Sequence, residues 1–332
     1  MSHEARHGSL AQLGYGAGPF GIADGAQRWQ GLGEGKTAVV TGANAGLGFF
    51  ASLALAQAGT HVILACRNQS RAERAMAAIA ARVPGASTEF MQFDSSSLAS
   101  ATMLAAELRH RQLDILIANA GMIRTPEQRQ EGLLGHEMVM STNFIGHARL
   151  AGELADHFTG SALRFIALGS MSTRLLATSP NNLALRQGYG KYRAYVQSKA
   201  ALQSFAMALD HRLHQLGAAS RSLAVHPGYC LSGLSPQLPG INEPGYAKRL
   251  AGRLQQPFSQ GKHHGAAALV EAALTPGIER LATGAYFGPQ FLSKGRIVLA
   301  SPAGNTRSKA LQDAVWKLFC EANDGLDPFA IN

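Results

Sequence analysis

The stretch YGKYRAYVQSKAALQS, residues 189–204, carries three tyrosines and two lysines within eleven positions. On a helix, residues four apart share a face. At that distance Tyr189 is followed by Arg193, Tyr192 by Val196 and Tyr195 by Lys199. Only the last pair sets a phenol beside an ammonium. A free tyrosine titrates near pH ~10 and is a poor base at neutral pH, but a neighbouring ammonium favours the phenolate. Such a tyrosine can give a proton to a carbonyl oxygen or take one from a hydroxyl. The same spacing also occurs by chance on solvated helices, so its weight depends on what accompanies it. Lys191 reads as a solvated charge. Tyr189 and Tyr192, placed in the loop before the helix, are expected at the rim of a pocket.

A second grouping is TGANAGLG, Thr41 to Gly48, with glycines at Gly42, Gly46 and Gly48. Glycine permits a tight turn and close approach of backbone to a pyrophosphate, and the helix N-terminus that follows favours negative charge. The loop sits between an apolar strand pattern, KTAVVTG, and a helical one, FFASLALAQAG. That context separates it from a lone glycine motif.

The elements that must position these groups follow from hydrophobic patterning. Short apolar runs (THVILACR, STEFMQFD, LDILIANAG, RFIALGS, SRSLAVHPG) alternate with helical segments from residue 36 onward. Six alternations imply an α/β fold, a doubly wound parallel sheet with helices on both faces in a single domain over 35–332. Residues 1–34 are Gly/Ala-rich and read as a disordered arm. The Pro- and Gly-rich residues 231–265 interrupt the alternation beyond the sixth strand, where ligands bind in such folds, and read as a substrate lid. TRSKALQDAVWKLFCEAND reads as a closing amphipathic helix.

Composition narrows the function classes. At 46% hydrophobic and 15% charged residues the chain is an ordinary globular one. No apolar run reaches the roughly 18 residues of a spanning helix, and the N-terminus shows no secretory signal. Cys66, Cys230 and Cys320 lie far apart, without disulfide or metal-ligand spacing, so no metal is expected and a reducing, cytoplasmic setting fits. The net charge is +9, yet basic residues form no run and are not interleaved with aromatics. Nucleic acid is therefore not an expected partner, and a phosphate-bearing cofactor accounts for the basic balance.

The spacing TGxxxGxG differs from GxGxxG and resembles the short-chain dehydrogenase/reductase family, over 36–230 strongly and 265–332 weakly. ACRN, the Asn143–His147 segment, AVHPG and GAYFGP are most similar to its retinol-dehydrogenase and protochlorophyllide-reductase-like branch. The resemblance implies a Rossmann-type fold and an NAD or NADP cofactor, cradled by Gly42, Asn44, Gly46, Leu47 and Gly48. Arg67 ends the second strand where an acidic residue would select NAD. A guanidinium there suits a 2′-phosphate, so NADP(H) is favoured over NAD(H). The resemblance also implies adenine contacts by Asp94 and Ser95 and a cofactor wall from Asn119, Ala120 and Gly121. It implies further contacts from Pro227, Gly228 and, where threonine is usual, Ser232. Read without it, Asp94 could be a helix N-cap and Asn119 a turn residue.

The same resemblance assigns Tyr195 and Lys199 to the fifth helix, where Lys199 also holds the nicotinamide ribose. RFIALGSMSTR offers two hydroxyls, and alignment on the strand favours Ser170 as the one that orients the substrate oxygen, leaving Ser172 a loop hydroxyl. Asn143 is implied to hold a water that relays protons to Lys199; the plainer reading is a bond to backbone that bends the helix. His147 is read as structural. The expected activity is NADP(H)-dependent interconversion of a carbonyl and an alcohol on a lipophilic small molecule. Ene reduction on the same scaffold and a non-catalytic NADP-binding role are the alternatives. Related enzymes assemble through their fourth and fifth helices, so a homodimer or homotetramer stands open.

Overall fold

In a computed structural model of the chain, residues 28–331 are described. Of the arm expected over 1–34, positions 1–27 lie outside this range. Residues 28–34 join the folded body: Trp29 is 2% exposed, and Arg28 Nη1 lies 3.1 Å from Glu271 Oε1.

The six apolar runs form β1 (Thr37–Thr41), β2 (His61–Cys66), β3 (Thr88–Gln92), β4 (Ile115–Ala118), β5 (Arg164–Leu168) and β6 (Arg221–Val225). All but the half-buried β3 are covered on both faces, which is why they read as unbroken apolar runs. The sheet also holds β9 (Tyr286–Pro289) and β10 (Ile297–Leu299), which periodicity did not reveal because they are short and separated by a glycine-bearing turn. The order is β10-β9-β6-β5-β4-β1-β2-β3, parallel except for the β9–β10 pair. The chain winds outward from β1 through β2 to β3, then returns to lay β4 on the other side. Ligands bind beyond the strand ends at such a reversal, and the phosphate loop opens there.

One face is packed by α3 (Leu98–Leu108), α4 (residues 138–153) and α6 (Lys191–Gln215). The other face carries α1 (Gly46–Gln57), α2 (Gln69–Ala80) and α9 (Ala267–Leu274). Side-chain caps fix two of these starts: Asn68 Oδ1 accepts from Arg71 N at 2.9 Å and Ser97 Oγ from Ser100 N at 3.2 Å. Ser97, not Asp94, is thus the cap of α3. The short α5 (Ala155–Gly160) leads into β5. The closing helix α10 (Lys309–Ala322) packs on α4 and α6, with Trp316 and Phe319 against Phe205.

The 231–265 segment is organised. Cys230–Leu231 (β7) pairs in parallel with Gln260–Gly261 (β8), so the insertion leaves and returns at adjacent points. Between them lies a helix not read from the sequence, α7 (Tyr246–Gln255); α8 (Lys262–Gly265) follows β8. Among the described residues no helix is long and apolar enough to cross a membrane.

Burial lowers the pKa values of five described histidines, with His147 at about 3, His226 and His263 at about 4, and His136 and His264 below their ordinary value. Below an ordinary value near 6.5, the unfolded chain binds protons these groups refuse, so stability falls with falling pH, by up to about 1.4 kcal/mol per pH unit for each. Buried Glu137 and Glu271 are shifted upward and oppose this trend. The difference between the chain and its His226→Gln variant therefore isolates one histidine. Urea titrations at pH 7 and pH 5 will show a smaller loss of stability in the variant; equal losses would refute the assignment.

Candidate active site

The site is organised by the seam between β1 and β4. Thr41 Oγ1 lies 3.1 Å from the Ile117 carbonyl and accepts from the amides of Asn119 and Ala120, each at 2.9 Å. Asn119 Nδ2 donates to the Thr41 carbonyl at 2.7 Å. This makes Asn119 a cross-strand tie rather than a turn residue. The phosphate loop closes over the same amide. A Cβ on Gly42 would come 2.9 Å from Ala120 Cα, and one on Gly48 would come 2.4 Å from Asn119 Nδ2. Gly42 also has φ +66°, so glycine is required there twice over. Asn44 and Leu47 stand half-buried along the loop. Cys66 lies beneath it, its thiol pushed up to about 11 by burial, and is inert as a nucleophile.

At the far end, Arg67 is 75% exposed and its Nη1 lies 3.8 Å from Asp94 Oδ2. Asp94 uses its other oxygen to accept from Ser96 N and Oγ, at 2.9 and 2.6 Å. Ser95 is buried, its carbonyl packed where any side chain at Gly146 of α4 would fall. A guanidinium with one loose carboxylate neighbour has donors left for an added anion.

Tyr195 and Lys199 share one face of α6. Burial is the main influence on Tyr195 and pushes its phenol above its ordinary value, while the Ser170 hydroxyl pulls the other way. Lys199 is buried and lowered to about 8, and its Nζ donates to the Leu168 carbonyl at 2.8 Å. The phenol is therefore held protonated, in contrast to the phenolate expected from helical spacing alone. Ser170, two residues beyond β5 and capping the turn Met171–Arg174, has its Oγ 2.8 Å from Ser172 Oγ and accepts from Ser172 N at 3.2 Å. Ser172 thus orients Ser170.

α4 is built of Met138–Met140, a π turn at Ser141–Ile145 and Gly146–Glu153. Asn143 lies in the π turn, fully buried. Its Oδ1 accepts from Met122 N at 2.7 Å, and Nδ2 donates to Met122 O at 3.1 Å and Ser198 Oγ at 2.9 Å. Ser198 in turn donates to the Tyr195 carbonyl at 2.8 Å. Both amide hydrogens are engaged across elements, tying α4 to the chain after β4 and to α6. Gly121 allows the approach: a Cβ there would lie 2.7 Å from Asn143 Oδ1 and 3.7 Å from Lys199 Nζ. His147 is neutral, with Nε2 3.0 Å from Thr41 Oγ1, and ties α4 to the same seam.

Tyr189 donates to the Pro126 carbonyl at 2.9 Å, and Lys191 pairs with Glu127 at 2.7 Å on the surface. Tyr192 lies inside α6, which begins at Lys191, and not in the loop where it was expected. Pro227, Gly228 and Ser232 border the start of the lid. Gln260 Nε2 and Cys230 Sγ both donate to the Pro227 carbonyl, at 2.7 and 3.1 Å. A cavity of about 570 Å³ opens beside His226, with Leu292 and Val298 as well as Arg174, Arg296 and Gln290 in its wall, and none of the site residues named above lines it. Lys262 was not identified from the sequence. Its Nζ would lie 3.7 Å from a Cβ on Gly46, and it is lowered by burial, with no carboxylate among the groups acting on it. The charge lies more than 200 residues from the loop it faces, and no local pattern announces it. Among the described residues no cluster of His, Cys, Asp or Glu could hold a metal.

Comparison with known proteins adds the family context. The family model "short chain dehydrogenase" matches residues 36–239. A WW domain-containing oxidoreductase of Drosophila melanogaster is 31% identical over 295 residues, 86% of this chain and 68% of that protein. Retinol dehydrogenase 12 of Mus musculus is 30% identical over 290 residues, 86% of each chain. The crystal structure of an uncharacterized protein from Mycobacterium paratuberculosis superposes with a TM-score of 0.72 at 26% identity, covering 92% of this chain and 98% of that one.

The cross-strand tie carries its own test. Asn119→Ala leaves the Thr41 carbonyl without its donor, which costs about 1–3 kcal/mol. Chemical denaturation will register this loss; a variant as stable as the parent would refute the role.

Proposed function

The chain belongs to the short-chain dehydrogenase family of oxidoreductases, and on that premise we propose that it interconverts a carbonyl and an alcohol on a lipophilic small molecule, with NADP(H) as cofactor. The observation that carries the reading is the convergence of the Tyr195 phenol, the Ser170 hydroxyl and the buried Lys199 ammonium behind a glycine cradle. The residues fit the cofactor. Gly42 and Gly48 leave the space a side chain would fill, Lys262 sets a cation over the loop, and Arg67 stands ready for a 2′-phosphate. The bound nicotinamide would supply or accept the hydride.

The chain's own residues handle the oxygen and its proton. Ser170, oriented by Ser172, donates to the substrate oxygen. Tyr195, held protonated by burial, gives that oxygen its proton in reduction and recovers it in oxidation. Lys199, still largely charged at neutral pH, stabilises the phenolate left behind. Asn143 acts through Ser198 to fix the turn of α6 that carries Tyr195, and is a positioning residue. The likeness to a protein named for retinol supports a lipophilic substrate.

Tyr195→Phe removes the proton and will lower turnover of a carbonyl panel by about 10²–10⁴-fold, followed by NADPH absorbance, with nucleotide affinity retained; undiminished turnover would refute the mechanism. Arg67→Asp will weaken NADPH by about 10- to 100-fold in calorimetric titration while sparing NADH. Equal losses for the two nucleotides would show that Arg67 does not contact the 2′-phosphate.

A further inference from the structure

The lid helix α7 presents an apolar row that stands exposed among the described residues. Tyr246, Leu250 and Leu254 recur at four-residue spacing, so they align along one side of the helix. They are 82%, 46% and 75% exposed, and Phe258 in the following turn is 73% exposed. The opposite side is the one that docks: Gly252 is buried, with a Cβ there only 3.2 Å from the backbone of Gly233. The helix is thus seated by its small residue, with its large apolar ones facing outward. The β9–β10 turn stands alongside, since Lys294 Nζ donates to the Gln256 carbonyl at 2.9 Å and Tyr229 Oη to Gln255 Oε1 at 2.8 Å. That turn adds Phe291, 70% exposed.

The charges on α7 and the adjoining turn share one sign, the exposed Glu243 lying before the helix. Lys248, Arg249 and Arg253 lie on α7, Lys294 and Arg296 on the adjoining turn, and α7 contains no acidic residue. Arg249 donates to the neutral Gln237, at 3.2 Å. A short helix with an outward apolar side and a basic border has the composition of one that lies in a lipid interface. A second copy of the chain would bring the same cations against themselves, whereas an anionic bilayer both neutralises them and receives the aromatic and leucine side chains.

We propose that α7 and the β9–β10 turn form a peripheral docking surface for anionic lipid bilayers. The surface lies on the membrane and does not span it. It does not depend on the oxidoreductase reading and can be tested without turnover. The purified full chain is sedimented with vesicles of phosphatidylcholine and phosphatidylserine at 70:30, and with phosphatidylcholine alone. The chain will pellet with the serine-containing vesicles and be released by added salt. Leu254→Gln with Phe258→Gln will lower partitioning by at least about tenfold, and Lys248→Gln with Arg253→Gln by about 10- to 30-fold. Circular dichroism matching the parent will show that these exposed substitutions leave the fold intact. Absence of pelleting by the parent, or pelleting of both variants at the parental level, would overturn the proposal. So would a concentration-dependent dimer of the parent that Leu254→Gln makes monomeric, because the surface would then serve a second copy.

Discussion

Everything at this site hangs on one hydroxyl and one amide at the β1–β4 seam. Thr41 Oγ1 and Asn119 Nδ2 together tie the end of β1 to the turn after β4 and to the first glycine of the phosphate loop. Parallel neighbours in a sheet splay at a reversal of strand order, and the crevice left there has no ladder to hold its lips. The side-chain bonds replace that ladder. They also set the distances that the glycines obey, because the same amide fills the space a larger residue at Gly48 would need. From this seam, His147 and Asn143 extend the tie into α4, and Ser198 extends it to the helix turn that carries Tyr195.

Much of this was legible in the sequence because it is local. Strand and helix alternation showed itself as alternating runs, and the doubly wound sheet followed from it, while the family likeness rested on TGxxxGxG and the motifs that accompany it. Helical arithmetic picked Tyr195 and Lys199 from five neighbours, and the structure sets them on one helix. What could not be read is what depends on surroundings. The π turn of α4 has no signature in STNFI, since it arises when Asn143 is drawn to Met122 and Ser198. Burial, not the nearby ammonium, dominates the Tyr195 phenol, and burial is a property of the packed molecule. Lys262 reaches Gly46 only because the lid folds back. The strands β9 and β10 are too short for periodicity to register.

The electrostatic balance follows the same division. Asp210 shows how a buried charge is managed: it receives both ends of the Arg221 fork at 2.9 Å and the amides of Ser222 and Gly284 at 2.8 and 2.9 Å. That fully bonded carboxylate fastens α6 to β6 and to the chain entering β9. Arg67 and Lys262 face the opening with no such complement. Charges that serve the frame are saturated by it, while those bordering the cradle keep donors in reserve.

The parallel pairing of Cys230–Leu231 with Gln260–Gly261 has a further consequence. The 28 residues between, 232–259, leave the body and rejoin it at adjacent points. Closure entropy grows only with the logarithm of loop length, so that stretch can lengthen, shorten or exchange its sequence at a cost near 0.6 kcal/mol per ~2-fold change in length. The insertion behaves as an interchangeable cartridge in a fixed holder. Evolution can remodel this stretch without disturbing the strands and helices that hold Ser170, Tyr195 and Lys199.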